Sequence, residues 1–103
     1  ALTARDALAL ATRGGARVLG RDDIGYLAPD MAADFITVDL DRLALSGTSY
    51  DPVAALIFCH IDRVDYSFIN GREVLSPEGL FTVDLPSTLI KHRQISMGLA
   101  AQL

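Results

Sequence analysis

Asn70-Gly71 is the residue pair that most limits what this chain can build. A two-residue type I′ turn needs positive φ at both central positions, and Asn-Gly supplies them at the lowest cost. Val64–Ile69 on one side and Arg72–Leu75 on the other are β-rich, so the spacing predicts an antiparallel hairpin. Ser76-Pro77-Glu78-Gly79 predicts a second turn, with Leu80–Val83 as a further short strand. Upstream, Asp34–Asp39 (DFITVD) is another β-rich run, bounded by carboxylates. These strands are few and short. A sheet of this size is marginal alone and is better read as the extension of a larger one.

The helices announce themselves through their caps. Thr3-Ala4-Arg5-Asp6 fits a capping box, with Leu2 placed as the outer half of a hydrophobic staple. Ala4, Ala7, Leu8, Ala11, Gly15, Val18 and Leu19 recur at helical spacing and define a face of small residues. Gly14-Gly15 interrupts that run, which predicts either a break or very close backbone packing. Gly20 stands where a C′ glycine ends a helix. Arg21-Asp22-Asp23 then links to Ile24–Leu27, read as a short strand, and to a turn at Ala28-Pro29-Asp30-Met31. Leu40–Asp51, centred on Ser46-Gly47-Thr48-Ser49, is the expected mobile loop. Asp51-Pro52 starts a helix running to about Phe58. Asp84 caps a last helix from Leu85 to about Leu103, with Leu89, Ile90, Met97 and Leu99 on an apolar side and Lys91, His92 and Arg93 on a polar one.

Composition enters through its apolar excess. Half of the 103 residues are apolar and mean hydropathy is +0.31. A small domain has a large surface relative to its volume and normally needs more polar cover than this. Some of this apolar surface is therefore expected to lie against chain or partner outside these residues. The sequence also opens on a helix cap at Thr3, which reads as a cut. The net charge of −4 and a pI near 4.8 exclude a basic nucleic-acid surface. The single cysteine, Cys59, fits a reducing, cytoplasmic setting. The longest clean apolar run, Val53–Cys59, is far too short for a membrane span, and no signal peptide is visible.

Few residues carry chemistry. Cys59-His60 could pair a thiol with an imidazole, but neighbours in an extended segment point to opposite faces. The simpler reading is a small buried Cys beside a partly exposed His. Asp39, Asp41, Asp62 and Asp65 read as solvated strand termini in preference to a carboxylate metal site. Gly14-Gly15 with Arg13 and Arg17 lacks the strand and the lysine of a phosphate loop, so helix packing explains it better. Lys91-His92-Arg93 reads as the solvated side of the last helix.

Several segments, together nearly all of the chain, carry a family resemblance. Ala9–Gly20 (ALATRGGARVLG) followed by Asp23–Asp39 (DIGYLAPDMAADFITVD) resembles the C-terminal portion of the amidohydrolase superfamily. Gly25, Leu27, Ala33 and Asp34 match its G-x-L-x-x-G-x-x-A-D pattern. Asp30 stands where the family usually has glycine and Met31 where it often has lysine. Ser49–Cys59, Val64–Leu75 and Phe81–Ser96 are similar to the aminohydrolase branch, most of all to the 8-oxoguanine deaminases and hydroxydechloroatrazine ethylaminohydrolases.

The resemblance implies an α/β fragment: the last helix of a TIM-type (β/α)8 barrel (residues 1–20), the C-terminal part of a small composite β-sandwich (21–83) and a C-terminal helix (84–103). It implies a parent hydrolase that uses a divalent metal, usually zinc, and a metal-bound hydroxide to release an amine from a heteroaromatic ring. A cyclic amide hydrolase of the same superfamily is the alternative, and a non-catalytic module that pairs its strand edges with a partner is a further one. The family's metal ligands precede the first helix of this chain. No catalytic, substrate-binding or metal-ligating residue is therefore assigned here, and the segment alone is expected to be inactive. Its expected partners are the rest of its own chain, a small-molecule substrate and further copies in a homo-oligomer, with no nucleic acid and no membrane.

Overall fold

The computed structural model describes residues 1–103. The first helical stretch is continuous but changes pitch. α1 (Ala4–Ala9) passes through a π-helical turn at Leu10–Gly14 into α2 (Gly15–Val18). The capping box forms: the Thr3 hydroxyl accepts from the Asp6 N–H at 3.1 Å, and Asp6 accepts from the Thr3 N–H at 3.0 Å. Leu2 remains largely exposed and makes no buried staple. Gly14-Gly15 neither breaks the helix nor marks a close approach. The Gly15 N–H reaches back five residues to the Leu10 carbonyl, and a Cβ at Gly15 would meet nothing within 4 Å. The wider turn absorbs the conformational cost of the glycine pair. Gly20, at φ 67°, closes the helix in a Schellman arrangement: its own N–H donates to the Arg17 carbonyl and the Arg21 N–H to that of Ala16, both at 3.0 Å.

The close contact predicted for the glycine pair occurs at Gly25. A Cβ there would lie 3.1 Å from the Ala16 Cβ and 3.2 Å from both the Arg13 Cα and the Thr12 carbonyl. Gly25 also has φ 102°. That conformation, pressed onto the helix, explains why Ile24–Leu27 is an irregular crossing and not the expected strand. The following turn does form: the Met31 N–H donates to the Ala28 carbonyl at 3.2 Å, with Asp30 at φ 66°. A type II turn needs positive φ at that third residue, and Asp tolerates it better than most side chains do.

The sheet has four antiparallel strands in sequence order: β1 (Phe35–Thr37), β2 (Tyr66–Ile69), β3 (Arg72–Ser76) and β4 (Gly79–Leu80). Asn70 and Gly71 have φ 51° and 75°, as the type I′ turn requires. β2 and β3 slip register at a bulge between Ser67 and Phe68. Phe35 lies opposite Phe68, and their rings stack at 4.7 Å between centroids, a cross-strand pair that ties β1 to the hairpin. Three strands are shorter than the sequence predicts, β2 beginning at Tyr66 and not at Val64. β1 ends at Thr37 because the backbone then turns to meet Asp65. β4 stops at Leu80, leaving 81–83 as a bend before the last helix.

α3 (Pro52–Phe58) is the predicted helix, capped by Asp51 accepting from the Ala54 N–H at 3.1 Å. It packs on α1. The loop before it contains a 3₁₀ turn, Leu43–Leu45, and Leu45 is only 1% exposed. The segment expected to be mobile thus carries the most buried side chain of the chain. α4 (Leu85–Ala100) is capped by Asp84 and is exposed along its whole length.

Only Ala16, Leu45 and Ala55 are fully buried. The radius of gyration is 17.7 Å, whereas a compact domain of this length has about 13 Å. The accessible surface is 8122 Å², whereas a globular monomer of 11.1 kDa exposes about 5,700 Å². The difference, about 2,500 Å², is the size of surface that obligate interfaces cover. Large apolar side chains such as Leu43, Val18 and Phe58 are among the exposed groups.

Candidate functional site

The residues that looked chemical in the sequence are not brought together. Cys59 is half-buried at the C-terminal cap of α3, where its N–H donates to the Ala55 carbonyl at 3.0 Å. His60 follows on the exposed side. No group of three or more His, Cys, Asp or Glu side chains converges as a metal site anywhere in the chain. The donor set that a divalent metal requires is not one these residues make.

The aspartates have a different task. Asp65 Oδ2 accepts from the Asp39 N–H at 2.6 Å and from the Arg42 guanidinium. Arg42 also donates to the Arg63 carbonyl at 3.2 Å and lies 3.5 Å from Asp62. The Arg42 and Asp65 side chains are each only 18% exposed. Asp39 in turn accepts from the Asp41 N–H at 2.9 Å. Two of the four aspartates are therefore structural fasteners and not merely solvated ends. Together with Arg42 they clamp the 39–51 loop to the start of β2. A shallow cleft of about 590 Å³ lies beside this clamp, lined by Leu40, Arg42, Leu45 and Ser49 among others. It offers no nucleophile–base pair.

A second fastener lies at Asp34, whose Oδ1 accepts from the Asn70 N–H at 2.7 Å while the Gly71 N–H donates to the Ala33 carbonyl at 2.9 Å. Ala33-Asp34 thus grips the hairpin turn from across the sheet. Only the family pattern marked those two residues in advance; spacing alone gave no sign of the partner.

Arg13 and Arg17 form no anion nest with the glycines. The backbone N–H groups there are spent within the helix, and the Arg13 guanidinium sits 4.8 Å over the Tyr26 ring. Arg21 and Asp23 form a two-point ion pair at 2.9 and 2.8 Å. That bond holds the Asp23 carboxyl below, and the Arg21 guanidinium above, its ordinary value. Asp6 is likewise lowered, first by the Thr3 backbone N–H and then by its hydroxyl. These three groups lie at a helix start or in a linker, Asp6 and Arg21 exposed and Asp23 half-buried, while Lys91, His92 and Arg93 are exposed in the middle of α4. What the arrangement achieves is attachment of helix to crossing, loop to sheet and turn to strand.

Sequence comparison identifies the class. The profile of the amidohydrolase family matches residues 1–74, and the chain belongs to that family. It is 41% identical over 100 residues to 8-oxoguanine deaminase from Pseudomonas aeruginosa, which covers 97% of this chain and 22% of that protein. It is 43% identical over 70 residues to hydroxydechloroatrazine ethylaminohydrolase from Pseudomonas sp. strain ADP, covering 67% of this chain and 15% of that one. Its fold superposes on an adenosine deaminase from Xanthomonas campestris, solved with bound zinc, at a TM-score of 0.89 and 30% identity, covering 98% of this chain and 23% of that one. The chain therefore spans between 15% and 23% of the length of these relatives.

Proposed function

We propose that this chain is the C-terminal structural portion of a metal-dependent aminohydrolase that releases an amine from a heteroaromatic ring of the 8-oxoguanine or hydroxylated s-triazine type. Residues 1–20 supply the last helix of a TIM-type barrel, 21–83 the C-terminal part of a β-sandwich, and 84–103 a terminal helix. The catalytic divalent metal, zinc, and its ligands lie in the polypeptide outside these residues. The enzyme is cytoplasmic. The observation that carries the reading is the 41% identity to 8-oxoguanine deaminase across 97% of the chain. The uncovered apolar surface supports it independently, because a barrel and the remaining sandwich strands are what such a surface would pack against.

A substrate panel tests the reaction. The whole open reading frame containing this segment is expressed with zinc and assayed for ammonia or alkylamine release from 8-oxoguanine, hydroxylated aminotriazines and adenosine, and for ring opening of cyclic ureides. The reading expects amine release from the first two. Ring opening alone would replace it with the cyclic amide hydrolase of the same family. No turnover of any of these would contradict both.

A further inference from the structure

Asn70 is the one asparagine of the chain, and a glycine follows it. Both residues are exposed. Asparagine is a chemically labile side chain, and it is most labile before glycine, where no side chain shields the next backbone nitrogen. Each backbone N–H of the pair is also held from outside the hairpin. Asp34 Oδ1 accepts from the Asn70 N–H at 2.7 Å, and the Ala33 carbonyl accepts from the Gly71 N–H at 2.9 Å. The turn itself is closed by the pairing of Ile69 with Arg72, so these two bonds are additional to it.

From this arrangement we propose that Asn70 is a site of spontaneous deamidation and that Ala33-Asp34 is the lock that keeps it closed in the folded chain. The Gly71 nitrogen bonds to the side-chain carbonyl carbon of Asn70. The bond from that carbon to its amide nitrogen breaks, and ammonia leaves with the proton of the Gly71 amide. Water then opens the cyclic imide at either carbonyl, which gives aspartate or isoaspartate. Water is the only co-reactant, and nothing is oxidised or reduced.

The lock acts on the attacking atom. The Gly71 nitrogen has to give up its proton and swing onto the Asn70 side chain, and its N–H is the one that Ala33 holds. A type I′ turn keeps ψ of its first central residue near about +30°, which directs that nitrogen away from the side chain. Ring closure therefore requires the turn to open and β1 to release it. Once formed, the products oppose relocking. Either one puts a carboxylate on the residue whose N–H Asp34 holds, and isoaspartate also adds a methylene to the backbone of a two-residue turn. The Ile69–Arg72 register cannot then be kept. The inference does not depend on the reaction proposed above.

The test follows conversion in the whole open reading frame, aged in mildly alkaline buffer. Trypsin cuts after Arg63 and Arg72, so the peptide Val64–Arg72 reports residue 70 alone by its mass. The synthetic peptide and the urea-unfolded chain give the unrestrained rate. The folded chain is expected to convert at least about tenfold more slowly than both, because conversion waits for local opening. Asp34→Ala is expected to speed the folded chain about fivefold, the factor that a lost hydrogen bond gives. Asp34→Asn, which keeps an acceptor oxygen for the Asn70 N–H, should stay close to the parent rate. A folded chain that converts as fast as the peptide, or no conversion in the unfolded chain, would overturn the proposal. So would an unchanged rate for Asp34→Ala. A slower rate in both Asp34 variants would overturn it too, since the carboxylate would then be promoting the reaction as a base.

Discussion

The four-stranded sheet and α4 are held by opposite kinds of interaction. The sheet is tied by bonds between residues distant in sequence: Asp34 to Asn70, Asp39 and Arg42 to Asp65, Phe35 against Phe68. α4 is held by its own ladder and by Asp84, which receives the Ser87 N–H at 3.3 Å and, at its carbonyl, the Thr88 hydroxyl at 2.7 Å. An isolated helix of that length is marginal in water unless an apolar face is packed. The lesson is that regular secondary structure and tertiary attachment are separable here. The sheet carries its own attachments, while α4 depends on what it packs against.

Substitution at Gly25 gives the strongest loss expected. Gly25→Ala puts a Cβ 3.1 Å from that of Ala16 and forces a side chain onto φ 102°. The expected cost is about 2–4 kcal/mol, read from the urea midpoint of the whole protein. A loss below 1 kcal/mol would mean that the crossing is not seated as described.

The clamp comes next. Arg42→Ala leaves Asp65, only 18% exposed, without its cation. Partial solvent access limits the loss to about 1–2 kcal/mol. Hydrogen exchange should show faster opening in the 39–51 loop while the β2–β3 hairpin is unchanged. Asp34→Ala should act on the other end of the sheet, costing about 1 kcal/mol and speeding exchange at Asn70 and Gly71.

The N-terminal cap should give the smallest change, visible in pH. Asp6 has its folded value lowered below the ordinary 3.8, so its contribution is present above that value and fades as pH falls through the lowered one. Exchange of the first turn of α1 should therefore accelerate below about pH 4; Asp6→Ala should abolish that pH dependence, and Thr3→Ala, which keeps the backbone N–H but loses the hydroxyl, should only reduce it. In contrast, Lys91→Ala on the solvated side of α4 should alter stability by no more than about 0.5 kcal/mol.

These sites also show what a sequence can disclose. Asn70-Gly71, Thr3–Asp6, Asp51-Pro52 and Asp84 were legible because each acts on backbone within a few residues, so its geometry is written in neighbouring letters. Gly25 was not, because its need for a small residue comes from a helix it meets only after folding. Arg42 and Asp65, 23 positions apart, became partners only when β1 and β2 paired. The family was legible because its pattern includes Gly25, Ala33 and Asp34, which in the fold meet the helix and the hairpin turn. The fastening role of the aspartates was not legible, because Asp65 meets Asp39 and Arg42 only in the folded sheet.

The central claim is that this chain completes an aminohydrolase without itself making the reactive centre. It is tested most directly by ammonia release from 8-oxoguanine in zinc, with residues 1–103 supplied in trans to the same enzyme lacking them. The account predicts no turnover by either piece alone and measurable turnover when the two are co-expressed. Turnover by the 103-residue chain alone, or undiminished turnover by the shortened enzyme without it, would contradict the claim.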